Sequence, residues 1–256
     1  MKKNATLSGL IFTLALAVST AAAAAPFDGI KKAGVLRSAS EGAFSPFNFF
    51  KGKDLTGFEI DVVNAIGKAI GVKTEWKTFP FDSLLIGLGQ DRYDVVAASH
   101  GITDERAKAV DFTLPHYCTG GVVLSRKGGP LKAADLKGKT VGVQVGTSYL
   151  THVQKLGLAK EVKTYPKDPD SFQALMSGRI DAVITDKFLA IEAAKTHAAA
   201  GLQVGELLFS EKVGMAVSKG NASLKAKLDE GLQAILKDGT YKAISMKYFG
   251  TDVRCL

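Results

Sequence analysis

Helical and extended periodicities alternate along almost the whole chain, and this alternation restricts the fold more than any other feature. From Phe58, apolar residues Val62, Val63, Ile66, Ala69 and Ile70 share one helical face, and Gly71 stops it. A second helix from Phe81 carries Leu84, Leu85 and Leu88, and Asp94 to Ala98 follows as a short buried strand. Val141, Val143 and Val145 alternate as a strand does, and Leu150, Val153 and Leu156 return to helical spacing. Leu224, Leu228, Leu232, Ile235 and Leu236 mark a longer helix ended by Asp238-Gly239, with one last short helix over Ser245 to Phe249. Strands separated by helices predict an α/β fold whose sheets are mainly parallel and covered by helices on both faces.

An internal repeat sharpens this. Asp82-Ser83-Leu84 opens a helix leading to Asp94-Val95-Val96-Ala97-Ala98-Ser99, and Asp170-Ser171-Phe172 opens one leading to Asp181-Ala182-Val183-Ile184-Thr185-Asp186. Two similar modules far apart in sequence imply two lobes of related build. Ligands of open α/β sheets sit beyond the carboxyl ends of the strands, which is where Ser99 and Asp186 fall. If the lobes face each other, these two residues line one cleft.

The N-terminus reads as an export signal. Lys2 and Lys3 precede an apolar run from Leu7 to Val18, too short to span a bilayer, followed by Ser19, Thr20 and the alanines 21–25. Residues 1–25 are taken as the signal segment, with cleavage expected after Ala23 or Ala24 because Pro26 disfavours cutting directly before it. The remaining chain is expected to be soluble and extracytoplasmic, in the periplasm or its equivalent. Its 46% hydrophobic and 23% charged residues are those of a globular protein. The net charge of +8 comes from scattered lysines with no basic run interleaved with aromatics, so no nucleic-acid partner is expected. The only two cysteines, Cys118 and Cys255, are a candidate disulfide in an exported chain, two buried thiols being the alternative.

Catalytic signatures are absent: there is no G-x-S-x-G, H-E-x-x-H or C-x-x-C, and Gly138-Lys139-Thr140 lacks the first glycine of a P-loop. His100, His116, His152 and His197 lack metal-ligand spacing, so neither metal nor cofactor is expected. Binding signals are stronger. Thr103 is placed to cap a helix whose first turn holds Arg106, a side chain able to grip a carboxylate with two parallel hydrogen bonds. Gly101 lets a ligand approach the backbone, and Gly146-Thr147-Ser148 offers a second helix start. Asp186 and Glu41 sit at strand ends where an ammonium could bind, and Phe44 and Phe81 could sandwich a side chain. Arg106 and Asp186 together match the α-substituents of a free amino acid.

These residues fall within blocks that resemble a known family. Gly57-Phe58-Glu59-Ile60-Asp61-Val62, Glu41 to Phe47, Gly101 to Arg106, Val110 to Thr113, Leu136 to Lys139, Val145-Gly146-Thr147 and Asp238 to Tyr241 are similar, in the right order, to the polar amino-acid-binding proteins of ABC importers, solute-binding protein family 3. The resemblance implies a type II periplasmic-binding-protein fold with two hinge crossovers, lobe 1 over residues 26–117 and 215–256 and lobe 2 over residues 118–214. It implies a monomer that binds a free amino acid and docks on an ABC transporter permease. It further implies that Arg106 takes the ligand carboxylate with help from Ser99, Gly101 and Thr147, and that Asp186 takes the α-ammonium. Glu41, Phe44, Phe81, Gln144 and Ser148 would shape the side-chain pocket. Many members carry Ser or Thr where this chain has Gly101, and Asp where it has Glu41. The second acid, Glu41, favours arginine, lysine, ornithine or histidine, with glutamine next, because a buried unpaired charge costs several kcal/mol, on the order of what would exclude acidic ligands. A periplasmic cyclohexadienyl-dehydratase-like enzyme of the same fold is the rival reading, with Glu41 as its candidate acid; no enzymatic activity is expected.

Overall fold

The computed structural model describes residues 25–255. The signal segment therefore lies outside the described residues, Ala25 excepted. The first stretch runs α1 (Phe27–Ala33), β1 (Val35–Ser40), β2 (Ala43–Phe44), β3 (Asn48–Lys51), β4 (Asp54–Thr56), α2 (Phe58–Ala69), β5 (Lys73–Thr78), α3 (Phe81–Gly89), β6 (Val95–Val96), α4 (Asp104–Ala109) and β7 (Val110–Phe112). The second holds β8 (Tyr117–Arg126), β9 (Thr140–Gln144), α5 (Ser148–Leu156), β10 (Glu161–Tyr165), α6 (Asp168–Met176), β11 (Ala182–Asp186), α7 (Lys187–Thr196) and β12 (Leu202–Val213). The chain then returns with β13 (Ala216–Ser218), α8 (Ala222–Lys237) and α9 (Thr240–Phe249).

Two five-stranded sheets result, in the orders β5-β1-β6-β13-β7 and β10-β9-β11-β8-β12, and a three-stranded sheet, β2-β3-β4, joins them. Both large sheets are mixed. β1 pairs in parallel with β5 and β6, and β9 with β10 and β11, but the β6-β13, β13-β7, β11-β8 and β8-β12 pairings are antiparallel. The expectation of mainly parallel sheets is thus corrected to half of the pairings. The antiparallel half is built by the strands that flank the two crossovers, where the chain enters a neighbouring strand without an intervening helix to reverse it.

Each sheet is packed on both faces. Leu84, Leu88 and Tyr93 cover one side of the first sheet, and α2 and α8, through Val62, Ile66, Leu228 and Leu232, cover the other. Leu136, Val153 and Ile184 lie on one side of the second sheet, with Phe172 and Leu175 of α6 on its opposite side. The two lobes meet at an aromatic cluster in which Phe188 of α7 lies 6.1 Å from Phe47 and 4.9 Å from Phe249.

Two expected elements differ. The strand expected over Asp94 to Ala98 shortens to Val95–Val96, because the Asp94 carboxylate accepts the Arg37 backbone N–H and guanidinium and Ser99 turns the chain at φ 58°. The last helix starts at Thr240 instead of Ser245, since the buried Tyr241 must reach inward to donate its hydroxyl to the His116 carbonyl. Cys118, at the start of β8, is bridged to Cys255, and the Cys118 N–H donates to the Val253 carbonyl. The C-terminal tail is thereby tied to the strand leaving the first crossover.

Candidate functional site

The carboxyl ends of β1 and β6 face those of β9 and β11 across a narrow cleft, and a small cavity lies between them. Phe44, Phe81, Ser99, Arg106, Gln144, Thr147 and Ser148 line it, together with Ala98 and Tyr149, which sequence reasoning did not single out. Seven of the ten expected residues thus converge on one space. Glu41, Gly101 and Asp186 lie just behind its wall.

Arg106 owes its place to α4. The Thr103 side chain caps the helix by accepting the Arg106 N–H at 3.2 Å, which fixes the first turn and turns the guanidinium toward the second lobe. Its Nη1 donates to the Gly101 carbonyl at 2.8 Å and its Nη2 to the Gly146 carbonyl at 3.0 Å. The second bond crosses the cleft. Phe81 stacks on His100 with centroids 4.3 Å apart and lies 5.7 Å beneath the guanidinium carbon. Burial holds Arg106 below its usual range, and Glu211 partly offsets this.

A second contact closes the other end of the cleft. Gln144, at the end of β9, donates through Nε2 to Glu41 Oε1 at 2.6 Å and to the Pro166 carbonyl at 3.0 Å. Glu41 is only 7% exposed, and burial raises its carboxyl to about 7 despite the Gln144 donor.

Several expected contacts are committed elsewhere. Asp186 is fully buried and serves as N-cap of α7: Oδ1 accepts the Phe188 and Leu189 N–H groups at 2.7 and 3.1 Å, and Oδ2 accepts the Thr119 hydroxyl at 2.5 Å. Tyr149 donates to the same Oδ2 at 3.4 Å. Burial raises Asp186 to about 6, with these donors holding it down. Ser99 gives both its backbone N–H and its hydroxyl to Glu59, at 2.9 Å each, so its amide is not free for a ligand. Thr147 caps α5 and donates to the Gln144 carbonyl, which occupies its hydroxyl too. Ser148 donates to Glu211 Oε2 at 2.7 Å. Phe44 is buried, stacks on Phe47 and lines the cavity.

Two acids missed in the sequence surround this space. Glu211, on β12, is raised by burial, and Asp168, at the start of α6, is raised well above its ordinary range by burial and by Glu41 nearby. Four carboxyls held up by burial therefore gather round the small cavity, among whose described lining residues Arg106 is the cation. An arginine with two parallel donors beside several desolvated carboxyls is complementary to a small molecule carrying one carboxylate and at least one cationic group.

Residues 36–251 match the model of bacterial extracellular solute-binding proteins, family 3. The chain belongs to that family. The L-cystine-binding protein TcyJ of Escherichia coli (strain K12) is 38% identical over 88% of this chain and 86% of its own length. The L-arginine-binding protein of Pseudomonas aeruginosa is 34% identical over 99% of this chain and 98% of its own. Among solved structures, an ancestral arginine-binding protein bound to arginine superposes with a TM-score of 0.82 at 41% identity, covering 85% of this chain and 99% of the other. An ancestral arginine-binding protein bound to glutamine superposes with a TM-score of 0.81 at 41% identity, covering 85% of this chain and 98% of the other. As a family 3 protein, this chain has the two-lobed architecture of its structural neighbours, and its cavity lies between the lobes.

Proposed function

We propose that this protein captures one free L-amino acid, on the extracytoplasmic side of the membrane, and presents it in the closed state to the permease of an ABC importer. Arg106 takes the α-carboxylate by forking two N–H donors toward it, the carboxylates at the base of the cleft take the α-ammonium, and Glu41 with Gln144 takes the end of the side chain. The observation that carries this reading is the Arg106 guanidinium bridging Gly101 and Gly146 at the wall of a cavity surrounded by buried acids. Binding proteins for arginine and cystine among the relatives, and ancestral arginine-binding proteins solved with arginine and with glutamine, support it.

The excess of carboxyl groups favours a ligand with a cationic side chain: arginine, lysine, ornithine or histidine. Glutamine ranks next, since a neutral Glu41 could donate to its amide oxygen. Cystine would bring a second carboxylate to the Glu41 end, where Glu41 repels it and Lys167 is the nearby cation. The protein acts as a monomer and turns nothing over. Calorimetric titration of the purified protein with the twenty amino acids, ornithine and cystine should rank the basic ones first. Glutamate, aspartate or cystine binding best would overturn the ligand class, and binding of no amino acid would overturn the reading itself.

A further inference from the structure

A second cavity lies outside the amino-acid cleft, and helical spacing builds it. Phe172 and Met176 are four residues apart on α6, and Leu189 and Ala193 are four apart on α7, so each pair falls on one helical face. Between these faces runs a slot of about 430 Å³, closed at one end by Ala43 and Ser45. Its volume lies within the roughly 300–1,000 Å³ of small-molecule sites. Phe172, Leu189 and Ala193 are buried, which makes the floor apolar.

One charge interrupts this lining. Glu192 is the single carboxylate among the lining residues, and no lysine or arginine joins it. Among the described residues its carboxylate accepts only the Thr196 hydroxyl, at 3.4 Å. An acid beside an apolar slot, with no cation of the protein's own, is complementary to a molecule with an apolar body and one cationic end.

The slot is tied to the cleft through β2. Side chains of an extended segment alternate, so Phe44 lines the amino-acid cavity while Ala43 and Ser45 line the slot. This segment moves with the first lobe, because the Pro46 and Phe47 carbonyls accept the Phe58 and Glu59 N–H groups at the start of α2, each at 2.9 Å. The helices α6 and α7 pack on the second sheet. Opening the lobes therefore takes one wall of the slot away, and a molecule lodged in it holds the lobes together.

We propose that this slot is a second ligand site, for a small organic amine with an aromatic or aliphatic body, and that filling it favours the closed state. The ammonium meets Glu192, the body lies between the two helices, and its far end rests on Ala43 and Ser45. The amino acid closes the same lobes, so each ligand raises the affinity of the other by the same factor. The site stands on the slot alone; the coupling rests on the amino-acid reading above.

The probe is 2-phenylethylamine, which has no carboxylate to offer Arg106, with 3-phenylpropanoate as its counterpart of opposite charge. Both are titrated by NMR into wild type, Glu192→Gln and Gln173→Trp, with and without a saturating amount of the amino acid that ranks first in calorimetry. Gln173 is exposed at the rim, so a tryptophan there fills the slot without entering the core, and thermal melts verify both variants as folded. The amine should bind wild type about 5-fold more tightly with the amino acid present. It should bind about 5-fold more weakly to Glu192→Gln, and not measurably to Gln173→Trp. The propanoate should bind wild type more weakly than the amine does, and Glu192→Gln should leave the amino-acid affinity measured without amine unchanged. No binding of the amine to wild type, equal binding to all three proteins, competition between amine and amino acid, or an amine affinity that the amino acid leaves unchanged would each overturn the proposal. Sedimentation at the titration concentrations reads the other occupant: a wild-type dimer that Gln173→Trp dissolves would assign the slot to a second copy of the chain instead. Wild type that binds no amino acid sinks the parent reading by itself, and the amine titrations of the three proteins still decide the slot.

Discussion

Closure of an empty cleft should be held back by the charge on Glu41, and replacing that residue with glutamine should release it. Gln144 of the second lobe covers Glu41 of the first, so opening the lobes returns this carboxylate to water. Its pKa is about 7 in the closed state against 4.5 when solvated, so at pH 8 closing without a ligand costs the difference. At about 1.4 kcal/mol per unit this is about 3 kcal/mol. For an acid raised by burial, the penalty is full above the closed-state value and disappears below the solvated one. The unliganded closing equilibrium should therefore rise as pH falls through 7 toward 4.5, by about 30-fold between pH 8 and pH 5.5. Asp186 adds nothing to this, because its partners Thr119, Phe188, Leu189 and Tyr149 all belong to the second lobe and cover it in either state. Glu41→Gln keeps an acceptor for Gln144 and removes the charge, so at pH 8 the unliganded variant should close up to about 300-fold more readily, with no pH dependence from this site. Single-molecule energy transfer between a label on α4 and one on α5 reads the closed fraction directly. An unliganded closed fraction unchanged between pH 8 and pH 5.5, and unchanged by Glu41→Gln at pH 8, would refute the reasoning.

Three further outcomes follow from named contacts. Arg106→Lys should weaken amino-acid binding by about 100-fold or more in calorimetry, since an ammonium cannot fork toward a carboxylate and span the Gly101 and Gly146 carbonyls at once. Gly57→Ala should lower stability by about 2–4 kcal/mol in urea unfolding, because Gly57 sits at φ 130° and a Cβ there would overlap the Phe47 carbonyl. Cys118→Ser with Cys255→Ser should cost about 2–5 kcal/mol of stability while leaving affinity within a few-fold of wild type, the bridge lying at the crossover, away from the cavity lining.

Much of the fold was legible because burial imposes periodicity. The apolar faces of α2 and α8 fall on residues that the structure buries, Val62, Val63 and Ile66 in one and Leu224, Leu228 and Leu232 in the other. Arg106 could be found because a capping threonine three residues before it announces a helix start, and that local rule survives any tertiary context. Glu211 could not. It sits in a strand of twelve residues with two register irregularities, so no alternation shows which of its polar residues turns inward. The mixed sheets escaped for a related reason: strand direction is set by how the chain crosses between lobes, and no residue type encodes that. The commitment of Asp186 did leave a trace, since an aspartate directly before a helix is a capping signal that competes with a binding role. Thr147 carries the same ambiguity.

The glutamate of the family's most recognisable block does its work without touching the cavity. Glu59, fully buried on α2, accepts the Asn48 amide at 3.0 Å, the Ser99 N–H and hydroxyl at 2.9 Å, and faces His116 Nε2 at 3.0 Å. Asn48 in turn accepts the Gly42 N–H at 2.9 Å, fixing the loop that carries Glu41. Ser99 holds a positive φ, a conformation a serine keeps only when its surroundings impose it, and the chain leaving it supplies Gly101 and then Arg106. His116 belongs to the crossover. One carboxylate thus ties together the segments that deliver the acid, the guanidinium and the hinge, so that α2 acts as a rigid reference against which the second lobe can swing. Cavity-lining residues such as Phe81, Gln144 and Ser148 can then change without disturbing that frame, because none of them is a partner of Glu59.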